Sequence, residues 1–482
     1  MESADVIELR LDRFSSFDFA AVRTWLNKPL IATFRSPNEG GYWTGDSERL
    51  VKLLQAAIDA GFEYIDVEWK QANSILPRLD LGPVTRVILS HHSQTSRFTE
   101  LQAVLKEMFR IPASIYKLVF PAVSLDDNLT ALRLIDEARE QNKKFIIHAS
   151  GEAGKLSRLA GALRGNEFTY TALHPNRQTA PGQLTLDETH AIYHLHEKTA
   201  DTRLVGLLGY PVSQSLGWKL HNILLGRLKK TLPHPEKLSD FLYVNFPAED
   251  FDSFWKNWQS RVDALSITIP YKERMAECIE LPSPSVEETG VCNTAVRREG
   301  SWFGFNTDFL ALAELFRPHV PRLRKGVLVI GTGATTRSAI VALKQLGVTH
   351  IQVQGRNEAR GKLLQKIYQI SYENDINKVD EKITAIIQTT PVGMYPQVEA
   401  LPPGHHLFRK GMVVMDVIFN PQETRFLRLA REAGCQVISG EKMYVRQAAK
   451  QFEIFSGMPV SPEEVRRVWE LIQQEETGGK KQ

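Results

Sequence analysis

Short apolar, β-branched runs alternate with segments of helical spacing along the whole chain. In the first 200 residues the runs fall at 6–11, 30–35, 64–69, 86–91, 116–120, 144–148 and 168–173. Between them, segments 47–60, 98–109, 125–142 and 155–163 carry apolar residues at helical intervals. Strict βα alternation predicts a parallel barrel or an open doubly wound sheet. Seven strands are predicted where a closed barrel needs eight. The polar segment 197–203 reads as a linker. After it come a strand at 204–208, a helix at 219–228 and a strand at 264–268. Residues 327–330 form a run suited to a strand buried on both faces. Gly331 and Gly333 follow directly, then a helical segment (338–346) with Ala339, Ile340, Ala342, Leu343 and Leu346 apolar, then a strand at 351–354.

That last group is a strand–turn–helix–strand unit whose helix N-terminus offers free N–H groups to a pyrophosphate. The third glycine of the usual fingerprint is replaced, with Thr336 and Arg337 near its place. Arg356 ends the second strand, where an acidic residue would bind a ribose hydroxyl and an arginine suits a 2′-phosphate. The unit therefore reads as an NADP site.

Composition narrows the class. A chain of 482 residues exceeds one core, so two or three domains are expected. With 43% apolar and 24% charged residues it is ordinary for a globular protein, and a net charge of +3 without a basic stripe argues against nucleic acid. No apolar run reaches membrane-spanning length. Cys278, Cys292 and Cys435 are scattered and odd in number, which fits a reducing cytoplasm rather than a metal or disulfide framework. The polar tail 475–482 is expected to fray.

In the first half, polar residues gather at strand ends: Glu8, Arg10, Arg35, Glu39, Glu68, His91, His92, Lys117 and Arg158. In a parallel barrel these positions crowd the C-terminal mouth, where active sites are built. Lys117 lies inside Ile115-Tyr-Lys-Leu-Val-Phe120, where a charge is costly unless paired. It is either a snorkelling edge lysine or an amine of depressed pKa able to form a Schiff base with a ketone.

Glu8-Leu-Arg-Leu-Asp12, Arg35 with Glu39-Gly-Gly41, Ser90-His-His92, Lys117, Gly154-Lys-Leu-Ser-Arg158 and Ala180-Pro-Gly-Gln183 resemble, in this order, type I 3-dehydroquinate dehydratase over residues 1–195. The resemblance implies a (β/α)8-type barrel with Lys117 as the Schiff-base lysine and His92 as general acid/base. It puts substrate on Glu8, Arg10, Arg35, Arg158, Thr179 and Gln183, with Arg158 on the carboxylate. Ser150 stands where the family has methionine and Thr179 where it has serine. The family's first strand lies upstream of Glu8, and Met1 leaves no room for it. Either the barrel is open there or the start codon lies further upstream. His190 and His194 are expected to share a solvated helix face with His196 nearby, and no metal site is expected.

In the second half, Ser213 and Ser215 after the first strand suit either a polyol or a helix cap. Thr268 and Lys272, Asn293, and Asp308 follow in strand-end or turn positions, and Lys272 with Asp308 on their own read as no more than a surface ion pair. Together with the nucleotide unit these motifs resemble shikimate dehydrogenase over residues 203–475. The resemblance implies Lys272 and Asp308 as the catalytic pair, and substrate on Ser213, Ser215, Thr268, Asn293, Asp308 and Gln447. It puts NADP against Gly331, Thr332, Gly333, Ala334, Arg356, Thr389, Thr390, Pro391, Val392, Gly393, Met394 and Gly440. Departures are Gly217-Trp218 for Ser-Pro, Ser266 for asparagine, Gly355 for asparagine and Phe419 for tyrosine, the last implying a lost hydrogen bond.

Joined, the halves read as one bifunctional shikimate-pathway enzyme, a lyase making 3-dehydroshikimate from 3-dehydroquinate and an oxidoreductase making shikimate from it. The expected layout is a barrel at 1–198, a substrate-binding domain at 203–310, a Rossmann-like NADP domain at 311–440 and closing helices at 441–475. Partners would be small molecules alone, with oligomeric state left open. The competing readings are a quinate/shikimate dehydrogenase with an impaired dehydratase half, and a non-catalytic metabolite sensor. The latter predicts loss of catalytic amines that are all present.

Overall fold

The computed structural model describes residues 3–478, so 479–482 of the polar tail lie outside the described residues. The chain divides into two compact units, Met1–Thr202 and Arg203–Gln482. No helix among the described residues is long and apolar enough to cross a membrane.

The first unit holds six parallel strands paired in chain order: β1 (Ile7–Arg10), β2 (Leu30–Thr33), β3 (Tyr64–Glu68), β4 (Arg86–His92), β5 (Ile115–Pro121) and β6 (Phe145–Ser150). Alternate positions serve two different surfaces. Leu30, Ala32, Ile65, Val67, Val87 and Leu89 pack outward on Leu50, Leu54, Ala57 and Ile58 of the helix Ser47–Asp59. The opposite face begins with an apolar layer of Ile31, Ile88, Ile115 and Ile146, backed by Tyr64, Phe168 and Tyr170. One step along each strand that face turns polar, with Thr33, Asp66, Ser90, Lys117 and His148. An isoleucine floor thus carries a charged layer, and the charged layer faces the strand ends.

The seventh predicted strand is corrected. Phe168 and Tyr170 fill the floor, and only β7 (Thr171–Ala172) is extended, pairing with β8 (Leu184–Thr185). No ladder joins β6 to β7 or β8 to β1 among the described residues, so the eight strands do not form a hydrogen-bonded ring. The histidine helix is corrected as well. His194 has φ 50°, which ends the π-helical turn Glu188–Ile192. His190 therefore stacks on His196, ring centroids 3.9 Å apart, instead of sharing a face with His194. No group of three or more metal-ligating side chains occurs among the described residues.

The second unit contains two sheets. The first is mixed, in the order β10-β9-β11-β13-β14-β12, from β9 (Arg203–Gly209), β10 (Phe241–Pro247), β11 (Ala264–Ile267), β12 (Leu281–Pro282), β13 (Thr294–Arg298) and β14 (Ser301–Phe305). Helices Gly440–Ser456 and Pro462–Gly478 complete its core, with Phe452, Phe455, Val465, Val468 and Trp469 packed with Leu220, Leu224 and Tyr243. The second sheet is parallel throughout, from β15 (Val327–Ile330), β16 (Ile351–Gln354), β17 (Ser371–Glu373), β18 (Ala385–Gln388), β19 (Val413–Asp416) and β20 (Gln436–Ile438). Its order, β17-β16-β15-β18-β19-β20, is the doubly wound dinucleotide-binding arrangement, with the topological switch between β15 and β18. The helix after β15 runs Ala334–Gln345, beginning four residues before the predicted start because the turn at Gly331–Gly333 is tight.

Candidate functional sites

In the first unit, register brings Ser90 of β4 level with Lys117 of β5 and His92 level with Val119. Lys117 is buried in β5, which is paired on both sides, and this excludes the snorkelling edge position. Its Nζ lies 3.4 Å from Asp66 Oδ2 and 3.6 Å from Glu8 Oε1, and 4.0 Å above the Tyr170 ring. Glu8 Oε1 also accepts from Thr33 Oγ1 at 2.9 Å.

Arg35 is the counter-charge for this layer. Buried at 3% exposure, it donates to Asp66 at 2.8 Å, Ser90 at 2.8 Å, Glu39 at 3.3 Å and Glu68 at 3.4 Å. Burial alone would lower its pKa, and the carboxylates overcome this and raise it. Burial would raise Asp66, but Arg35 and Lys117 hold it below the usual carboxylate range. Burial and the neighbouring Glu39 charge push Glu68 up.

Glu39 ties both histidines down. Its Oε1 meets His91 Nδ1 at 2.8 Å, and its Oε2 meets His92 Nδ1 at 3.2 Å and the His92 backbone N–H at 3.1 Å. Burial opposes its ionisation, yet the two imidazoles and Arg35 hold Glu39 at about 2. Burial and the positive charges of Arg35 and Lys117 push His92 down to about 3. His92 is therefore a neutral imidazole beside a buried amine. A cavity of about 560 Å³, lined by Glu39, Glu68, His91 and His92 among others, opens at this strand end.

The remaining predicted positions differ in how closely they join this group. Arg10 is clamped by Asp12, Nε to Oδ1 and Nη2 to Oδ2 both at 2.9 Å. Thr179 donates through N–H and Oγ1 to Gln183 Oε1 at 2.9 and 3.2 Å. Gly182, at φ 72°, abuts the Gly151 carbonyl so closely that no Cβ fits, and this docks the 179–183 loop on the end of β6. Arg158 is buried, and burial pushes it down to about 10. Three participants escaped sequence analysis as site residues: Asp66, Glu39 as the histidine anchor, and His148. The polar alternation Tyr64-Ile-Asp-Val-Glu68 was the available signal for Asp66.

In the second unit, Lys272 opens the helix Lys272–Cys278, and Asp308 lies in the first turn of the helix Thr307–Phe316, capped by Asn306. Lys272 Nζ bonds Asp308 Oδ2 at 2.6 Å, with Asp308 buried. The pair is therefore not a solvated surface bridge. Asn293 Oδ1 accepts from Thr307 N at 2.8 Å, Thr294 Oγ1 at 2.9 Å and Thr307 Oγ1 at 3.1 Å. Thr307 Oγ1 also reaches Gln447 at 3.4 Å, and Gln451 bonds Thr294 Oγ1 at 3.1 Å, so the late helix Gly440–Ser456 is fastened to this cluster. Thr268 ends the β11 run and packs on Gly209, where a Cβ would strike its methyl group. Ser213 is exposed, and Ser215 Oγ accepts from Gly217 N at 3.4 Å. Neither serine is the N-cap of the helix Gly217–Thr231, which is Leu216. A buried atom nearby, Asn245 Oδ1, has no hydrogen-bond partner among the described residues. Phe419 stacks on Tyr444 at 4.3 Å.

At the β15–β18 switch, Gly331 has φ 128° and is crowded by Thr389, so only glycine serves there. Gly333 faces open space. Thr336, in place of the third glycine, bonds the Gly333 N–H at 3.1 Å and Thr389 Oγ1 at 2.8 Å, tying the first turn to the end of β18. Gln388 Nε2 bonds Thr390 O at 2.8 Å and Val392 O at 3.2 Å, shaping the loop that carries Gly393 and exposed Met394. Gly355 lets Thr332 approach to 2.6 Å of its absent Cβ. Ala334 begins the helix, and Arg356 is exposed at the end of β16. Gly440 starts its helix against the Ile418 carbonyl, where a side chain has no room.

Residues 1–200 match the family model for type I 3-dehydroquinase, and residues 207–295 match that for the shikimate dehydrogenase substrate binding domain. The chain is 28% identical over 498 residues to the chloroplastic bifunctional 3-dehydroquinate dehydratase/shikimate dehydrogenase of Arabidopsis thaliana, covering 97% of this chain and 80% of that protein. It is 29% identical over 490 residues to the pentafunctional AROM polypeptide of Kluyveromyces lactis, covering 94% of this chain but only 30% of the relative. A solved structure of dehydroquinate dehydratase and shikimate dehydrogenase from S. pombe AroM is similar at a TM-score of 0.43 and 24% identity, over 96% of this chain and 93% of that one. Residues 1–200 thus belong with the type I 3-dehydroquinases and residues 207–295 with the shikimate dehydrogenase substrate binding domains, in a chain similar over most of its length to a bifunctional 3-dehydroquinate dehydratase/shikimate dehydrogenase.

Proposed function

We propose that the chain carries out two consecutive steps on one ring ketone: dehydration of 3-dehydroquinate to 3-dehydroshikimate, then NADPH-dependent reduction to shikimate. The observation that carries the reading is Lys117, a buried amine on an inner strand of a parallel sheet with the neutral imidazole of His92 on the neighbouring strand. The Lys117 amine adds to the ketone carbon, and loss of water leaves an iminium. The iminium acidifies the adjacent C–H, His92 removes that proton, and the resulting imidazolium protonates the departing hydroxyl. Hydrolysis then frees Lys117. Glu39 orients His92, while Glu8, Arg10, Arg35, Thr179 and Gln183 shape the polyol site and Arg158 takes the carboxylate.

In the second unit, Lys272 donates the proton that the carbonyl oxygen needs as it becomes a hydroxyl, and Asp308 aims the ammonium. Ser213, Ser215, Thr268, Asn293 and Gln447 hold the ring. The cofactor supplies the hydride when bound. The residues present fit a phosphorylated dinucleotide: a glycine turn opening a helix for the pyrophosphate, and an exposed guanidinium at the second strand end for a 2′-phosphate. We assign 1–198 to the dehydratase, 203–310 to substrate binding, 311–440 to the cofactor and 441–475 to closing helices, and infer a cytoplasmic location. Fusion gives equal stoichiometry of the two activities and does not by itself imply channelling.

The test is borohydride reduction in the presence of 3-dehydroquinate, followed by peptide mass spectrometry. A reduced adduct on Lys117 is expected. No adduct on any lysine would overturn the dehydratase reading and favour a sensor.

A further inference from the structure

Arg158 is the exception among the buried cations of the first unit. Arg35 has three carboxylates and Lys117 has two, whereas among the described residues the guanidinium of Arg158 has no ion pair, and its Nε is buried without any hydrogen-bond partner. A buried cation lacking a counter-charge is costly, and here burial alone depresses it. Its backbone is nonetheless firmly placed. Ser157 Oγ accepts from Ala149 N at 2.8 Å, and Ser157 N donates to Asn128 at 2.9 Å, pinning the first turn of Lys155–Leu163 to the end of β6.

Among the described residues the side chain meets one polar partner, His148. Arg158 Nη1 lies 3.4 Å from His148 Nε2, and His148 Nδ1 lies 3.2 Å from the Ala149 carbonyl. A guanidinium can only donate, so Nε2 accepts, and the ring proton sits on Nδ1 facing the carbonyl. Both nitrogens are thus satisfied in one neutral tautomer. Burial and the charges of Arg158 and Lys117 hold His148 well below its ordinary value, so the ring stays an acceptor. His148 shares the polar face of β6 and is level with Val119 of β5, two residues beyond Lys117.

We propose that His148 is a positioning residue of the dehydratase: by accepting from Nη1 it holds the Arg158 guanidinium so that its Nε edge meets the substrate carboxylate. This rests on the reading of Arg158 as the carboxylate site. The bound carboxylate would satisfy the orphaned Nε and supply the missing counter-charge. Loss of the imidazole leaves the cation in place but free to rotate, so binding suffers and the chemistry at Lys117 does not.

The test uses the full chain with His148→Leu, His148→Gln, Arg158→Gln and the double variant His148→Leu/Arg158→Gln, with steady-state dehydratase kinetics and borohydride trapping at saturating substrate. His148→Leu is expected to raise KM about tenfold with kcat within about twofold and trapping on Lys117 intact. His148→Gln, whose amide oxygen can still accept, should recover most of the loss. Arg158→Gln should raise KM about 100-fold or more, and the double variant should be no worse than Arg158→Gln alone. An unchanged KM in Arg158→Gln would sink the carboxylate reading itself. A raised KM there, with an unchanged KM in His148→Leu or with additive effects in the double variant, would sink only the role of His148. A fall in kcat at constant KM would likewise overturn it, since that marks proton transfer rather than positioning. Should His148→Leu fail to fold, the Gln variant still decides: a tenfold KM increase in a chain that traps normally would contradict the acceptor role.

Discussion

Lys117 and Lys272 are both shielded amines beside carboxylates, and they are held in different ways. Lys117 has two long contacts, 3.4 Å to Asp66 and 3.6 Å to Glu8, and a ring face at 4.0 Å. Lys272 has one short contact, 2.6 Å to Asp308. Asp66 and Glu8 are themselves engaged by Arg35, Ser90 and Thr33, so neither is committed to the amine. An amine that must give its lone pair to carbon benefits from neighbours that place it without capturing it. An amine that only lends a proton benefits from one short charge-assisted bond that fixes its direction. On the proposed function, the same residue type would do covalent chemistry in one unit and acid chemistry in the other, according to how many partners share it.

The largest effect should come from removing the nucleophile. Lys117→Ala is expected to lower dehydratase kcat by more than about 10⁴-fold and leave dehydrogenase kinetics unchanged. Parallel assays on separate substrates check this, and loss of both activities would break the division of labour. Next, Lys272→Met should lower dehydrogenase kcat by about 10²–10⁴-fold, with Asp308→Asn costing less because it only aims the ammonium. Equal losses from both would mean that the carboxylate takes part in the proton transfer. Third, Arg356→Gln should raise KM for NADPH about 10- to 100-fold and leave NADH nearly unaffected, which initial rates with both cofactors would reveal.

The smallest expected effect is on pH response, where the two units oppose each other. Glu39 at about 2 and His92 at about 3 lie below their ordinary values of 4.5 and 6.5. The unfolded chain therefore takes up those protons first, and these groups cost the first unit stability as pH falls below about 6.5. Asp416 behaves oppositely. Burial raises it to about 7 against its hydrogen bonds from Ile418 N–H and Thr424 Oγ1. Its folded form holds a proton that the unfolded chain has lost above an ordinary 3.8, so its contribution falls as pH rises from about 4 through 7. Asp416→Asn should protect dehydrogenase activity against heating by a few degrees at pH 7.5 and change little at pH 5. Residual activity of each half after a heat step measures this, and equal protection at both values would refute a protonated Asp416.

Much of this arrangement was legible beforehand. Short apolar, β-branched runs located the strands and flagged Lys117 as an intruder in one of them. The turn after β15 declared itself through Gly331 and Gly333, and at Gly331 a positive φ and a close approach to Thr389 demand glycine. The overlong seventh strand was misjudged because Phe168 and Tyr170 have strand-like chemistry and serve as floor instead. Thr336 looked like a defect in the glycine fingerprint and proved to be a cross-link between β15's turn and β18.

By itself the sequence determined which residues face the same way along each strand, where the turns must fall and which side chains are chemically out of place. Those are local matters, set by backbone sterics and the period of side-chain direction. Only the tertiary structure decided that Asp66 meets Lys117, that one carboxylate anchors two histidines, that His148 is the partner of Arg158, and that Lys272 and Asp308 are a shielded pair. Such meetings depend on register between strands distant in sequence, which hydrophobic burial fixes for the whole sheet at once and which no short stretch of chain encodes.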